Sequence, residues 1–100
     1  MKLLVGDIGG TNARFGYQKS KGDAIEKVEF LNCADFKNFD QAVAHYISKY
    51  ELSVENLSLS VAAPCGDYHI NFTNNHWSFD KRDLLSKTNC ASILAINDFA

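Results

Sequence analysis

The sequence predicts an α/β fold: a mixed sheet that opens with an antiparallel three-stranded meander and carries helices on its faces. Three observations lead there. Apolar residues alternate with polar ones over the first third of the chain and again at 57–63 and 68–73, the period of half-buried strands. Between these, Phe39, Ala42, Val43, Tyr46, Ile47 and Tyr50 recur at steps of three and one, which is one stripe of a helix. The last run, "ASILAI" at 91–96, is nearly all apolar and suits a central parallel strand covered on both sides. The order βββ-α-β-(hairpin)-α-β, a meander followed by helical crossovers, implies a mixed sheet.

Residues 2–8 read as the first strand, and Gly9, Gly10, Thr11 and Asn12 as a turn. Alternation resumes at 13–19 with Ala13, Phe15 and Tyr17 on one face, which makes a β-hairpin. "SKGD" at 20–23 is a second turn, with Gly22 available for positive φ. A third strand spans 24–33 and ends near Cys33. Asn38 or Asp40 caps the helix that follows, and its tyrosines are expected to pack in the core. Leu57, Leu59, Val61 and Ala63 share a face of the next strand, which Pro64 ends. "CGD" at 65–67 turns the chain, and "YHINFT" at 68–73 is placed to pair back as a hairpin. Residues 79–87 read as a short helix capped by Ser78.

Composition narrows the classes of function. One hundred residues fit one small domain or a fragment of a larger one. A formal charge of −2 leaves no electrostatic footprint for nucleic acid or for an anionic membrane. No apolar run is long enough to span a bilayer. "MKLLVGD" begins like a secretory signal, but its apolar region ends after three residues. Cys33, Cys65 and Cys90 are an odd number without any CxxC. They predict reduced, mostly buried thiols in a cytoplasmic protein rather than a disulfide framework or a zinc site. His45, His69 and His76 also lack ligand spacing.

The chemistry concentrates in "GDIGGTNAR", residues 6–14. A hairpin turn with paired glycines aims several backbone N–H groups at one spot, a concave nest for an anion. Gly9 and Gly10 let a phosphate approach the backbone, and Thr11 and Asn12 add side-chain donors. Asp7 makes sense beside an anion if hydrated Mg²⁺ accompanies the phosphates. The stretch lacks the lysine of a P-loop and opens a strand rather than the helix of a dinucleotide fingerprint. From spacing alone, a tight turn closed by an Asx-type bond explains it equally well.

With three further stretches in view, the chain resembles the bacterial ATP-dependent glucokinases of the sugar-kinase, Hsp70 and actin superfamily. "VGDIGGTNAR" is similar to the superfamily's first phosphate motif. "SVAAP" at 60–64, "FTNNHWSF" at 72–79 and "AINDFA" at 95–100 resemble glucokinase segments in order and spacing. The resemblance covers nearly the whole chain. It implies an actin-like ATPase (ribonuclease H-like) fold and transfer of the ATP γ-phosphate to the 6-hydroxyl of glucose. It further implies that Gly6, Asp7, Ile8, Gly9, Gly10 and Thr11 contact the ATP phosphates. Asp7 stands near Mg²⁺ through water, Asn97 and Asp98 bind the sugar, and Asp98 is the general base. Without this pattern, Asn97-Asp98 reads as an Asx turn or helix cap after a buried strand.

Two places depart from the family pattern. Asn75 stands where histidine often follows T-N, with His76 one position later, and the turn after Pro64 is one residue shorter. Arg14 is expected to pair with a nearby acid or to cover the sheet. Trp77 reads as a packing anchor before a sugar platform, and His76 as structural or exposed as readily as facing the cleft. The family's second phosphate motif, adenine pocket and further sugar-binding residues come later in its sequence. Residues 1–100 therefore read as an N-terminal lobe ending just after the catalytic Asn-Asp, with no second domain, inactive alone and prone to self-association or homodimerisation. Kinases of another hexose or an N-acetylhexosamine, and a sugar-sensing regulator on the same fold, are the competing functions.

Overall fold

The computed structural model describes residues 2–20, 22–61, 63, 65, 68–72 and 76–97, with the backbone alone at Asn97. Three strands open the chain: β1 Leu3–Ile8, β2 Asn12–Gln18 and β3 Glu26–Asn32. A 3-10 turn at Cys33–Asp35 leads to helix α1, Phe39–Lys49. Strand β4 is Asn56–Val61, β5 His69–Asn71 and β6 Ser78–Asp80. Helix α2, Lys81–Thr88, precedes β7, Ser92–Asn97. The main sheet has the order β3-β2-β1-β4-β7, and β5 and β6 form a separate two-stranded sheet. The meander β1-β2-β3 is antiparallel, and β4 and β7 add in parallel. This is the mixed sheet that the pattern predicts.

Alternation decides which face is packed. Leu4, Ile8, Ala13, Phe15, Leu57, Leu59 and Val61 point to one side, where Phe39, Ala42, Val43 and Tyr46 of α1 close over them. The Phe39 ring anchors this core, with ring centroids 4.9 Å from Phe79, 5.5 Å from Phe72 and 5.7 Å from Trp77. Asn38, rather than Asp40, caps α1: its side chain accepts from the Gln41 amide, while the Gln41 side chain accepts from the Lys37 amide. Gly22 adopts φ +87° in the second turn, where a side chain would be strained. Lys27 also has positive φ, where the β2–β3 register shifts between Phe15 and Tyr17. The Tyr46 hydroxyl donates to the Lys27 carbonyl at 2.7 Å, holding that irregularity against α1.

β5 pairs forward with β6 and not back onto β4, and two further elements differ from expectation. Residues 78–80 form a strand, not the start of a helix: Phe79 pairs with Ile70 and sinks into the core at 3% exposure. Burial of that ring outweighs the helical pattern, and α2 starts only after Asp80. Asp80, not Ser78, caps it, accepting from the amides of Arg82 and Asp83. The second difference is β7, which lies at the end of the strand order instead of in the centre. Ile93 and Ala95 pack against the core, whereas Leu94 and Ile96 are exposed. Among the described residues, both helices lie on the packed side. The expected turn at Gly66-Asp67, the strand end at Pro64 and the departure at Asn75 lie outside the described residues.

Candidate functional site

The glycine turn joins β1 to β2, and the structure divides its residues into two groups. Gly6 and Ile8 are buried on the packed side. Gly6 sits between Phe15 on β2 and Leu59 on β4. A Cβ there would lie 3.0 Å from Leu59 and 3.2 Å from the Phe15 ring, so this glycine serves packing. Asp7, Gly9, Gly10 and Thr11 are exposed. The turn is closed by the Gly9 amide donating to the Asn12 carbonyl at 2.9 Å, and is braced by the Cys33 amide donating to the Thr11 carbonyl at 2.8 Å. Among the described residues, no group accepts from the amides of Gly10 and Thr11. Adjacent amides left open in an exposed glycine turn have the make-up of an anion nest.

Asp7 leaves β1 on the opposite side of the sheet. Its carboxylate accepts from the Arg14 guanidinium at 3.2 Å across the β1–β2 ladder, and both side chains are about half exposed, at 52% and 53%. An exposed pair of this kind contributes about 0–1 kcal/mol and is easily opened. A hollow of about 180 Å³ lies beside it, lined by Asp7, Gly9, Asn12, Arg14 and Phe30. Among the described residues no group of three or more His, Cys, Asp or Glu side chains converges. That donor set does not make a protein cage for a cation. A single exposed carboxylate beside an anion nest does fit Mg²⁺, which keeps most of its waters and shares its remaining ligands with phosphate.

Strand register brings the far end of the chain to the same edge. Ile8 pairs with Val61, and Val61 with Asn97. The ends of β1, β4 and β7 thus form one row, and two interstrand steps put Asn97 about 10 Å from Ile8. Ligands of open α/β sheets bind outside the carboxyl ends of such parallel strands. Asp98 and the side chain of Asn97 lie outside the described residues.

Other singled-out residues have structural roles. Arg14 pairs with an acid, as the sequence suggests. Trp77 is 1% exposed and donates its indole N–H to the Phe36 carbonyl at 3.1 Å, a packing anchor. His76 is exposed, with its ring Nε2 2.9 Å from the same carbonyl. Tyr46 is fully buried, and the Tyr50 hydroxyl donates to Glu29, whose carboxyl is held below its usual range by the Lys49 hydrogen bond first and by this bond second. Phe30, a wall of the hollow, escapes the sequence reading. Its signal is the alternation of Val28 and Phe30, which puts the ring on the side of Arg14, its cross-strand partner.

The fold is shared with solved sugar kinases. A hexokinase of the ROK family from Thermus thermophilus shares the fold at a TM-score of 0.68 and 18% identity, over 96% of this chain and 35% of that one. The glucokinase of an Antarctic psychrotroph superposes with a TM-score of 0.88 at 31% identity, over 98% of this chain and 32% of that one. The chain belongs to the glucokinase family, whose model matches residues 4–100. It is 42% identical to the glucokinase of Marinobacter nauticus over 97 residues, 96% of this chain and 30% of that protein. The chain therefore spans about a third of the length of the relatives it matches.

Proposed function

We propose that the complete protein bearing this chain transfers the γ-phosphoryl group of ATP to the 6-hydroxyl of glucose in the cytoplasm, giving ADP and glucose 6-phosphate at the entry to glycolysis. The observation that carries this reading is the row Ile8–Val61–Asn97, with the glycine turn at one end and the start of "NDFA" at the other. The open amides of Gly10 and Thr11 hold the phosphates, Gly9, whose amide closes the turn, lets them approach the backbone, and Gly6 and Ile8 seat the turn in the sheet. Asp7 faces Mg²⁺ through water, and the bound cation supplies neutralisation of phosphate charge. Asn97 and Asp98 bind the hexose, and Asp98 accepts the proton of the 6-hydroxyl as the new P–O bond forms. Closure by the rest of the protein completes the site and excludes water. The exposed Val28, Phe30, Leu94 and Ile96 support self-association of the 100-residue chain through the uncovered sheet face.

Asp98→Ala in the complete protein tests the assignment. Loss of a general base lowers kcat by about 10²–10⁴-fold, while glucose binding measured by calorimetry weakens only about tenfold, the worth of one charged hydrogen bond. Unchanged turnover removes Asp98 from the chemistry.

A further inference from the structure

The Phe36 carbonyl takes two side-chain donors at once. It accepts from the Trp77 indole at 3.1 Å and stands 2.9 Å from His76 Nε2. A carbonyl has two lone pairs and no proton, so Nε2 is the donor. Phe36 ends a short turn whose other end, Cys33, gives its amide to the Thr11 carbonyl at 2.8 Å. Resting on the kinase reading above, we infer that His76 is a positioning residue for the hexose. With Trp77 it registers the β5–β6 hairpin on the Phe36 carbonyl, so that residues 33–36 set the spacing between the hexose side of the cleft and the glycine turn.

Three observations support this. First, among the described residues the hairpin forms its own sheet and shares no ladder with the main one. The end bearing Phe72 and Trp77 is held by their rings around Phe39 and by the two bonds to Phe36. Ring packing tolerates sliding, whereas hydrogen bonds are directional, so the Phe36 oxygen defines where that end stands. Second, the turn that carries this oxygen is itself fixed. Cys33 is 2% exposed, the Asn32 side chain accepts from the Ala34 amide at 2.9 Å, and the Phe36 amide donates to the Cys33 carbonyl at 3.3 Å. Third, the turn and the hairpin stand at the ligand edge of the sheet. Asn32 pairs with Asn12 at the end of the glycine turn. The hairpin follows β4, whose last residue, Val61, lies in the row between Ile8 and Asn97. Trp77 is also part of the core, but His76 is exposed, so its bond serves placement more than folding.

Steady-state kinetics of the complete protein with glucose and ATP separate this proposal from the reading beneath it. His76→Ala is expected to raise the KM for glucose about twofold to tenfold, the worth of one hydrogen bond. The KM for ATP stays at its wild-type value, because the bonds that close and brace the glycine turn do not involve His76. His76→Gln, whose side-chain amide can donate to the same carbonyl, is expected to recover most of the loss. Loss of folded enzyme lowers kcat and moves neither KM, so the split between the two substrates reads positioning even if a variant folds poorly. An unchanged KM for glucose in His76→Ala, an equal rise for ATP, or a glutamine variant as impaired as the alanine one overturns the proposal. Failure of the wild-type protein to phosphorylate glucose overturns the kinase reading instead.

Discussion

The two faces of the five-stranded sheet carry the same alternation of side chains but meet opposite surroundings. On one face Leu4, Phe15, Leu57 and Leu59 are at most 1% exposed beneath α1. On the other, Val28, Phe30, Leu94 and Ile96 keep about half or more of their surface in water. Periodicity tells which residues share a face. Cover comes from whatever element packs there, and the apolar content of β7 does not supply it.

Phe39 and Phe30 put that difference to the largest test. Phe39→Ala empties the centre of the aromatic cluster and is expected to cost about 3–5 kcal/mol, a large share of a small domain's stability. Phe30→Ala removes an equally large ring from the uncovered face and is expected to stay within about 0.5 kcal/mol. It should instead lower the apparent mass of the 100-residue chain in light scattering at high concentration. Chemical denaturation of both variants decides the first point. Similar losses of stability would mean that the second face is packed after all. A wild-type chain already monomeric at high concentration would remove self-association.

Two glycines make the same comparison on a finer scale. Gly6 lies on the packed side, where an added Cβ meets Leu59 and the Phe15 ring at 3.0 and 3.2 Å. Both neighbours are locked in the core, so Gly6→Ala is expected to cost about 1–3 kcal/mol by overpacking. Gly16 pairs with Val5 on the other side, and its added Cβ would lie only 2.5 Å from an Ile25 methyl. The Ile25 methyl sits directly on a β-branched Cβ that is stiff at χ1, and a Val5 methyl is a second neighbour at 3.1 Å. Relief therefore needs a shift of the backbone at the exposed Ile25, and Gly16→Ala is expected to cost at least as much as Gly6→Ala. A smaller loss at Gly16, read from denaturation midpoints, would show that the uncovered face yields more readily than the packed one.

How much of this was legible in the sequence follows from the same distinction. The meander, α1 and β4 were readable because each buries one clean stripe, and Asn38 offered a side-chain cap of the expected kind. Residues 78–80 were not, because Phe79 and Leu84 also fit a helical spacing and only the pairing of Phe79 with Ile70 decides for a strand. Within the glycine turn, the sequence showed the density of donors. It could not show that Gly6 serves Phe15 and Leu59 while Gly10 and Thr11 keep their amides open, since that depends on the neighbouring strands. The nearness of Asn97 to the turn was implied by resemblance alone until the register of β1, β4 and β7 gave it a physical basis.

The smallest expected effect concerns the one hydroxyl that ties the packed face to the irregularity in β3. Burial, more than the neighbouring Tyr50, Glu29 and Glu26, pushes the Tyr46 pKa up from 10.0 to about 12. A proton retained by the folded state but released by the unfolded one stabilises fully below pH 10, and that contribution is lost as the pH rises towards 12. The slope from this residue is at most about 1.4 kcal/mol per pH unit. Tyr46→Phe loses the bond to the Lys27 carbonyl, about 1 kcal/mol at neutral pH, but has no phenol to ionise. The stability gap between wild type and variant, read from urea midpoints, should therefore narrow between pH 8 and pH 11. A gap that stays constant would mean that the hydroxyl reaches water in the folded chain, and that α1 is not sealed against β3 at Lys27.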